Sequence, residues 1–566
     1  MLASRWEIAS PNPAAVLGMS IAHSISPLVA TVMINRGIDQ ASAARYLNPS
    51  LGTLSNPDRM AGMPEAAARF ADAIENGESV VFFGDMDADG TNSMALLLRF
   101  SRMCGADFPV YIPMRIEEGY GLHRESLQII KDKYNPSLII TADVGISAID
   151  EAIFCRELGI DLVITDHHTP GDELPAAVAV VNPHLEFCKY PFKNLAGAGV
   201  AYALVASTTQ VLIDRGYFSV GGEPDYQELL PLVALATVAD VVQLTGENRV
   251  LVTEGLPLFN TIPGLRALAR VAGLSPEVAP TAGQVAFKLA PRINAAGRVD
   301  SAMLAFELLS TDDEDRADEL ALILNGFNLE RQELEAQVVA EAVAMVELDP
   351  SLLRNTLVLS GKGWHAGVIG IASGRLKERY NRPTIMIADM GDGTGKGSGR
   401  SIDAFNLYDG LSEVADLLKG FGGHPAAAGL TIDMDNIERF RDAFDATAQA
   451  RALSSDDLIP LIMIDSIATA DDLCLQTIAD LKRLEPYGMG NRSPVFCVQG
   501  ATVNGRRVLK EKHLKLTVDI GGKSFDAIGW GMAGEKIGKS VDLAFTLDVN
   551  EWQGKRSVQL MLKDLK

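Results

Sequence analysis

The chain has 566 residues, of which 47% are hydrophobic and 22% charged, and its formal net charge is −23. This length allows two to four domains with a large core. The acidic excess argues against a protein that coats nucleic acid without selectivity, because such a protein needs a basic surface, but it is compatible with a basic groove on an acidic body.

Targeting signals are weak in this sequence. The first twenty residues hold one arginine and an apolar stretch broken by Pro11 and Pro13, which is a poor secretory signal. No uncharged run reaches membrane-spanning length, and the best candidate, 229–242, carries Asp240. The five cysteines are scattered and lack a CxxC motif, so neither a disulfide framework nor a zinc site is indicated. We therefore expect a cytoplasmic protein without a membrane partner.

Short helices and turns punctuated by prolines are expected over 1–60, and the pattern does not indicate their role. From about residue 65 strands alternate with helices. Strands are predicted at 80–83, 108–112, 138–141 and 162–165, and helices at 94–103 and 147–158. This alternation predicts an α/β domain with a mainly parallel sheet.

Acidic residues closely follow three of the four predicted strands. The sequence DMDADG at 85–90 follows the first strand, Asp143 follows 138–141, and Asp166-His167-His168 follows 162–165. A fourth apolar stretch, 232–239, ends in Asp240. Because open α/β sheets bind ligands beyond the carboxyl ends of their strands, we expect these side chains to converge in one crevice.

Four interpretations of the aspartate cluster are open. An EF-hand loop begins DxDxDG, but its twelfth position would be Leu96 rather than a glutamate. The DxDGT sequence at 87–91 resembles haloacid-dehalogenase phosphatases. Ligation of divalent metal would remove the mutual repulsion of the carboxylates, whereas a purely structural cluster would leave it in place. Mixed carboxylate and imidazole ligands suit Mn²⁺ or Mg²⁺, and their number is enough for two ions.

The second half of the chain changes character twice. A helical pattern over 315–346 predicts a helix that links two domains. A second α/β unit over about 355–450 contains two glycine-rich stretches, 391–399 and 420–423, which are expected to be loops. In the last hundred residues, period-two alternation at 514–520, 541–549 and 558–562 predicts antiparallel strands in a small β-barrel, most economically an OB-fold.

The order of these motifs is similar to that of the DHH phosphoesterase superfamily. The sequences GDMDADG at 84–90, ADVG at 142–145, DHH at 166–168 and Asp240 carry the resemblance. Within the superfamily, the chain resembles the single-strand-specific 5′→3′ DNA exonucleases. Further matches are IPMR at 112–115, GYGL at 119–122, a loop-like APRINAAGR at 290–298, WHAGVIG at 364–370, GKGSGRS at 395–401, GGH at 422–424 and PYGMGN at 486–491. Met86 and Ala366 depart from the family's usual Tyr and Pro at positions that do not bind metal.

The resemblance implies a domain order. An N-terminal helical segment would span 1–60, a DHH catalytic domain 61–314, a linker helix 315–350, a DHH-associated domain 351–455 and an OB-fold DNA-binding domain 456–566. It also implies two ions, Mn²⁺ or Mg²⁺, held by Asp85, Asp87, Asp143, His167 and Asp240. Asp143 would bridge the ions, and Asp89 would be either a ligand or an acceptor behind the ligands. Water acidified between the ions would attack phosphorus and release a 5′-mononucleotide, while His168 would face the phosphate.

Donors for the phosphate charge are expected mainly in the second domain. Its glycine-rich stretch 395–399 would let backbone N–H groups approach a phosphate, although ordinary tight turns are the alternative. The candidate side-chain donors are Ser398, Arg400 and His424, with Arg292 and Asn294 from the first domain. A cleft between the domains would admit one strand, with Arg115 on a phosphate and Tyr120 stacked on a base, although a core tyrosine is equally compatible.

A basic excess marks the predicted barrel. Residues 506–523 contain six Lys or Arg and two acids, which indicates a strand-binding face that includes Arg506, Lys510 and Lys515. A solvated strand face is the alternative. We expect a monomeric DNA repair and recombination enzyme that acts on single-stranded DNA beside a single-strand-binding protein and a helicase. A nano-RNA or cyclic-dinucleotide phosphodiesterase, or a pyrophosphatase, is the first alternative, and the barrel argues against it. A non-catalytic scaffold is the second, and the filled ligand positions argue against it.

Overall fold

The computed structural model describes residues 4–113, 119, 121–299, 302–451 and 453–566. Within these ranges the α-helices are α1 Pro13–His23, α2 Pro27–Asn35, α3 Gln40–Leu47, α4 Met63–Asn76, α5 Ala88–Met103, α6 Arg124–Tyr134, α7 Ile149–Glu157, α8 Gly197–Asp214, α9 Leu230–Ala239, α10 Gly246–Gly255, α11 Pro263–Val271, α12 Ala282–Gln284, α13 Ala290–Val299, α14 Ala302–Ser310, α15 Glu314–Leu348, α16 Ile369–Tyr380, α17 Leu407–Ser412, α18 Ile437–Ala450 and α19 Leu475–Lys482.

The strands are β1 Arg5–Ile8, β2 Val80–Gly84, β3 Val110–Tyr111, β4 Leu138–Ala142, β5 Asp161–Thr165, β6 Ala179–Val181, β7 Leu357–Lys362, β8 Thr384–Asp389, β9 Thr394–Arg400, β10 Leu418–His424, β11 Ala427–Asp433, β12 Leu461–Ile464, β13 Ser466–Ile467, β14 Phe496–Leu509, β15 His513–Ile520, β16 Lys523–Gly529, β17 Ser540–Trp552 and β18 Lys555–Leu565.

The first sheet is parallel throughout, as its sequence predicts. Its strand order is β3-β2-β4-β5-β6. β2 and β4 are buried at every position because helices cover both faces of the sheet, which is why their sequences are continuous apolar runs. Helices α4, α5, α8 and α9 pack on one face, and α6 and α7 pack on the other. All the carboxyl ends of the strands therefore lie at one edge.

Two expectations for this domain are wrong in secondary structure. The apolar stretch before Asp240 is the buried helix α9, not a further strand. A short apolar run without alternation fits a buried helix as well as a buried strand, and packing inside the domain decides between them. The stretch 290–298, expected to be a loop, lies in helix α13.

The linking helix is present as one continuous element. α15 has 35 residues, and the Asp313 side chain caps it by accepting hydrogen bonds from the N–H groups of Asp315 and Arg316. It leads into a five-stranded sheet of order β10-β11-β9-β8-β7, in which β7 and β8 are parallel and the other neighbours antiparallel. This second unit is α/β, as expected.

Most glycines of the two predicted loops lie in strands, whereas Gly391 and Gly393 lie in the turn before β9. Gly395, Gly397 and Gly399 belong to β9, and 420–423 belong to β10. A Cβ added at the three β9 glycines would come within 2.6 Å of Ile387, 2.6 Å of Leu430 and 2.8 Å of Leu407, respectively. Glycine is needed at these positions because neighbouring apolar side chains press against the strand.

The C-terminal sheet closes into a barrel. Strands pair in the order β14-β15-β16-β18-β17, and a further pairing of β14 with β17 completes the ring. Alternate residues of β15 face the interior, as the period-two pattern predicts. Residues of the N-terminal segment, including Met19, Met33 and Leu47, belong to the same hydrophobic cluster as the barrel interior. Strand β1 also pairs with β12, so this segment packs on the C-terminal part of the chain.

No single helix in the described ranges is both long and apolar enough to cross a membrane, and only the pair α1 and α2, bent by 115°, meets the length and composition test together.

Candidate metal centre and nucleic-acid interface

The turn after β2 holds three aspartates in three different ways. Asp85 is buried, and its Oδ1 accepts a hydrogen bond of 2.7 Å from the N–H of Met86. Asp87 caps helix α5 by accepting from the N–H groups of Asp89 and Gly90 at 2.8 and 3.1 Å. Gly90 must be small, because a Cβ there would lie 2.4 Å from the carbonyl oxygen of Asp85. The turn is therefore folded by its own carboxylates.

Asp89 is tied to the start of helix α8. Its Oδ2 accepts from the N–H of Gly197 at 2.6 Å and its Oδ1 from the N–H of Ala198 at 2.8 Å. These are N–H groups that no carbonyl inside the helix can satisfy, and they favour a negative charge. Asp89 thus has both carboxylate oxygens engaged, which supports the interpretation of an acceptor behind the ligands.

Asp143 follows β4 with an uncommon backbone conformation. Its φ is +63°, in the left-handed region, while its N–H still donates to the carbonyl of Thr165 at 3.0 Å. A Cβ at Gly197 would lie 2.7 Å from the Cβ of Asp143, so the helix start approaches this residue closely. The strained turn aims the carboxylate across the end of the sheet.

The two histidines after β5 differ in their partners. Asp166 accepts from the N–H of Ile146 at 2.9 Å, from the N–H groups of His167 and His168 at 2.7 and 3.1 Å, and contacts His168 Nδ1 at 2.7 Å. His167 instead points its Nε2 towards Asp143 Oδ1 at 3.1 Å, Asp240 Oδ2 at 3.6 Å and Asp89 Oδ2 at 3.8 Å. Asp166 therefore orients His168, while His167 faces the acids.

Asp240 reaches the same place from a helix. It ends α9, and the next residue, Val241, has a φ of +60°, which is rare for a β-branched residue.

The six side chains Asp85, Asp87, Asp89, Asp143, His167 and Asp240 form what we call the metal cluster. Three overlapping groups of side chains in and beside the cluster could each hold an ion, because the possible ligand atoms within a group lie within 4.8 Å of one another. The groups are Asp143 with His167 and His168, Asp89 with His167 and Asp240, and Asp85 with Asp87 and Asp143. The sequence-based expectation that these side chains converge is confirmed.

Burial and like charge disturb the ionisation of the cluster. Burial, then the charges of the other aspartates, raises the pKa of Asp143, and burial with Asp240 and Asp87 raises that of Asp89. Burial and Asp87 raise the pKa of Asp240 to about 7. Burial and the neighbouring His168 lower the pKa of His167 to about 4, so its ring is neutral near pH 7.

His168 is charged under the same conditions. Burial alone would lower its pKa, but the hydrogen bond and charge of Asp166, with Asp240 and Asp89, raise it to about 9. Burial would likewise raise the pKa of Asp166, and the contact with His168 lowers it. The pair is therefore an ion pair at neutral pH, with an imidazolium that can donate to an anion.

The cluster fits divalent metal. Asp143 Oδ1 and His167 Nε2 are both buried, and neither makes a hydrogen bond within the described part of the chain. Buried polar atoms are seldom left without partners, and a neutral imidazole beside carboxylates is a donor set that Mn²⁺ and Mg²⁺ accept. An ion between these atoms would satisfy them and offset the repulsion among the acids.

The two first-domain donors have different places. Asn294 Oδ1 accepts from the N–H of Ala88 at 2.8 Å, so it caps the helix that begins at the aspartate turn. Arg292 lies half-buried on α13, where its Nε donates to Asn325 of α15 at 3.0 Å and it also contacts the Lys288 carbonyl. Burial and the nearby Arg331 lower the pKa of Arg292.

The donors in the second unit border a separate cavity of about 830 Å³, which we call the β9 cavity. Ser398 and Arg400 line it together with Lys396, His365 and residues of β10. Arg400 Nη1 donates to the Gly399 carbonyl at 2.8 Å, and burial lowers the pKa of Arg400. His424 ends β10 as an exposed residue and is not among the cavity residues.

The three candidate DNA-binding cations of the barrel differ in the contacts that they make within the protein. Arg506 Nη2 donates to the carbonyls of Ala533 and Glu535 at 3.1 and 3.2 Å. Lys515 is paired with Asp526 at 2.8 Å, whereas Lys510 has no ion pair within the described ranges. Arg115 and Tyr120 lie outside the described residues.

The sequence interpretation missed three groups that hold the cluster. Asp166 belongs to the quoted DHH triplet, but its contacts with the His168 ring and with three backbone N–H groups were not assigned. The N–H groups of Gly197 and Ala198 hold Asp89 from 108 and 109 residues away. The only local signal for them is the small-residue run AGAG at 196–199.

Family models match three parts of this chain. The DHH family N-terminal domain matches residues 79–237, the DHHA1 domain 350–450 and the RecJ OB domain 464–564. The metal cluster lies in or beside the first of these, and the β9 cavity lies in the second.

Curated relatives match along nearly the whole chain. The single-stranded-DNA-specific exonuclease RecJ of Bacillus subtilis is 38% identical over 576 residues, covering 100% of this chain and 71% of the relative. That of Dickeya dadantii is 38% identical over 566 residues, covering 96% of each. A crystal structure of RecJ with Mn²⁺ from Thermus thermophilus superposes with a TM-score of 0.84 at 31% identity, covering 99% of this chain and 79% of that one.

Proposed function

Because the chain belongs to the RecJ family of single-stranded-DNA-specific exonucleases, we propose that it removes 5′-mononucleotides from the 5′ end of single-stranded DNA with Mn²⁺ or Mg²⁺ bound at the metal cluster. Metal-dependent hydrolysis of single-stranded DNA is the activity of the family. The 5′ polarity, the mononucleotide product and the residue roles are the proposal.

One observation carries the assignment of the ligands: the buried atoms Asp143 Oδ1 and His167 Nε2 lie 3.1 Å apart, and neither has a hydrogen-bond partner among the residues that the structure describes. We assign Asp85, Asp87, Asp143, His167 and Asp240 as ligands of two ions. Asp143 is assigned as the shared ligand, because among the carboxylates of the three groups of close ligand atoms it alone occurs in two. His167 also occurs in two groups, but one imidazole nitrogen can ligate only one ion. We assign Asp89 to a supporting role, since two backbone N–H groups occupy its oxygens.

Bound Mn²⁺ or Mg²⁺ supplies the activation of water and neutralises charge at the phosphate. The chain's own residues supply orientation and donors. His168, held as an imidazolium by Asp166, offers its other ring nitrogen to a phosphate oxygen. Asn294 fixes the start of α5 and with it the aspartate turn. Arg292 lies two residues earlier on the same helix and provides a positive charge beside the strand.

The second unit holds another phosphate of the same strand in the β9 cavity. Arg400 is half-buried there, where its Nη1 donates to the Gly399 carbonyl and to Ser398 Oγ, and within the described ranges it makes no ion pair. A partly desolvated guanidinium without a counter-ion favours an anionic ligand. His424 and Lys396 are further donors at or near this cavity.

We assign the domains as the sequence analysis divides them: 1–60, 61–314, 315–350, 351–455 and 456–566. The matches to the DHH, DHHA1 and RecJ OB models support this order. A DNA strand held by the barrel cations would pass between the domains 61–314 and 351–455. A DNA duplex is excluded if that passage is narrow. Arg115 and Tyr120 are proposed contacts at its entrance.

The cellular setting is also part of the proposal. We assign a cytoplasmic monomer that receives single strands opened by a helicase and coated by a single-strand-binding protein. The family name and the barrel support the DNA substrate. The five cysteines, all unpaired, are compatible with a reducing compartment.

The decisive experiment uses oligonucleotides labelled at either end, single-stranded or duplex, with Mn²⁺, Mg²⁺ or EDTA. We expect labelled mononucleotide at once from a 5′ label, a shortening ladder from a 3′ label, and no cleavage of duplex or in EDTA. Mononucleotide released first from a 3′ label would contradict the polarity. Cleavage of dinucleotides alone would favour the small-phosphodiesterase alternative, and strand binding without cleavage would favour a scaffold.

A further inference from the structure

A row of polar side chains runs along the middle of α15, the helix that links the domain of the metal cluster to the domain of the β9 cavity. Asn325, Asn328, Arg331 and Glu335 follow one another at steps of three, three and four residues, so they share one face of the helix. The last three are buried. Buried polar residues are unusual on a linking helix, since each must find a partner to offset the loss of water.

The start of the row is bound to the first domain. Asn325 accepts from Arg292 Nε at 3.0 Å. Arg292 stands two residues from Asn294, which caps the helix of the aspartate turn through the N–H of Ala88 at 2.8 Å. This end of α15 is therefore connected, through α13, to the backbone that carries Asp85 and Asp87.

The end of the row is bound to the second unit. Glu335 accepts from Arg331 Nη1 at 3.2 Å and from Arg375 Nε of α16 at 3.1 Å. Arg331 also donates to Asn328 Oδ1 at 3.1 Å. Glu335 thus lies between a buried arginine of its own helix and an arginine of the second domain.

Helix α16 forms a wall of the β9 cavity. Ile369, Gly370 and Ile371 line the cavity. A Cβ at Gly370 would lie 2.9 Å from Ser398 Oγ and 3.3 Å from Arg400 Nη2, so the helix and the donors are in close contact. Arg375 is one turn farther along this helix. A shift of α16 relative to α15 would therefore move the phosphate donors.

We propose that Glu335, through its bridge to Arg375, is a positioning residue that fixes the distance between the β9 cavity and the metal cluster, and that this distance determines the length of the product. The proposal rests on the proposed function. Asn325 and Glu335 are ten residues apart on α15, a rise of about 15 Å. If one phosphate is held in the β9 cavity, a fixed separation presents one particular phosphodiester to the cluster.

A second pair between the same helices offers a matched control. Arg379 of α16 lies 3.7 Å from Glu347 of α15, with side chains 55% and 67% exposed, whereas Glu335 is only 11% exposed. Exposed pairs contribute little to stability. The Arg375 side chain is 61% exposed, so replacing it with glutamine does not create a cavity or an unpaired polar group at a buried Arg375 site.

The experiment compares Arg375→Gln with Arg379→Gln on 5′-phosphorylated single strands. We expect Arg375→Gln to lower kcat about 10- to 100-fold, as small misplacements do. KM for a long strand should stay within about twofold, because the barrel binds the strand. Dinucleotides should appear beside mononucleotides. Arg379→Gln should leave kcat and product length unchanged, and Arg375→Lys should restore mononucleotide release.

A double-mutant cycle tests the pair directly. Glu335→Gln should cause the same mixture of products, and the double variant with Arg375→Gln should be no worse than the more affected single variant. Unchanged kcat and product length in Arg375→Gln would overturn the proposal, as would equal loss in Arg379→Gln. If Arg400→Gln retains full activity, the proposed phosphate site itself fails. If Arg400→Gln is impaired while Arg375→Gln is not, only the positioning role fails.

Discussion

The metal cluster and the β9 cavity are opposite in charge and alike in design. In the first, aspartates are buried close together and their pKa values are raised by burial and by one another. In the second, Arg400 is half-buried with the Gly399 carbonyl and Ser398 as partners, and burial lowers its pKa. Each region gathers charge that its surroundings disfavour. The proposed ligands, a cation in the first region and a phosphate in the second, would supply the counter-charge that each region lacks.

This difference predicts how each region responds to substitution. Neutralising a cluster acid removes a proposed ligand but also relieves repulsion, whereas neutralising Arg400 removes a proposed donor whose pKa is lowered by burial rather than by neighbouring cations. Substitutions in the cluster should therefore lower activity but raise the stability of the metal-free protein. Substitutions in the β9 cavity should lower activity without raising that stability.

The largest expected effect is that of Asp143→Asn. Losing the proposed shared ligand should lower the rate by roughly 10³-fold or more, about 4 kcal/mol of transition-state stabilisation. The metal-free variant should unfold at a higher temperature than wild type, because a buried carboxylate among carboxylates has been neutralised. Single-turnover cleavage and thermal unfolding in EDTA measure the two effects.

A matched control for Asp143→Asn is Asp161→Asn. Asp161 begins β5 at the opposite edge of the same sheet, where it is half-exposed and paired with Arg69 at 2.8 Å. Its loss should leave cleavage unchanged and lower stability by less than about 1 kcal/mol. Wild-type turnover by Asp143→Asn would contradict the shared-ligand role, and a lower unfolding temperature in EDTA would contradict the repulsion argument.

The next effect concerns metal and pH. The folded-state pKa of Asp240 is raised to about 7 and that of His168 to about 9. Both groups favour the folded state when protonated, so this stability is present at low pH and is lost as pH rises through those values. His167, with its pKa lowered to about 4, is neutral in both states above about pH 6.5. Metal-free protein should therefore lose unfolding free energy between about pH 6.5 and about pH 9.

Metal should reverse this trend. Saturating Mg²⁺ at 100 times its dissociation constant adds about 2.7 kcal/mol, and its affinity rises as ligands deprotonate. Unfolding by denaturant at the two ends of this pH range, with Mg²⁺ or EDTA, measures the gap, which should widen with pH. A gap independent of pH would mean that the cluster is already ionised without metal.

Arg400→Gln tests the other side of the comparison. Losing one charge-assisted hydrogen bond to phosphate should cost about 1.5–3 kcal/mol, or roughly 10- to 100-fold in rate, with no gain in metal-free stability. Arg354→Gln is the control, since Arg354 lies in the same domain in an exposed pair with Asp442 at 2.7 Å. Stabilisation by Arg400→Gln, as large as that by Asp143→Asn, would show that the two regions do not differ as argued.

The sequence predicted the convergence of the cluster better than the elements that carry it. Asp85, Asp143 and His167 follow strands of a parallel sheet, and the common direction of these strands places the three residues at one edge. Asp240 was predicted to join them although its carrier is a helix, because an unbroken apolar run does not distinguish the two.

The remaining features depend on contacts distant in sequence. Nothing near Asp89 predicts that the start of α8 donates to it. The β9 glycines were expected to bind phosphate as a loop, but they serve packing, since Ile387 and Leu430 occupy the space of a side chain. This packing role depends on which strands lie beside β9, and the local sequence does not predict them. The same holds for the N-terminal segment, whose apolar residues find partners in the barrel hundreds of residues later.

The smallest expected effect separates two lysines of the barrel. Lys510 has no ion pair within the described ranges, whereas Lys515 is already paired with Asp526 at 2.8 Å. A free cation that neutralises one phosphate contributes about 0.7 to the slope of log affinity against log salt for single strands. Lys510→Ala should reduce the slope by about that amount and weaken binding a few-fold, while Lys515→Ala should change it less. Fluorescence anisotropy on labelled single strands over a salt series measures both, and equal slopes in the two variants would mean that pairing within the barrel does not decide which cations meet the strand.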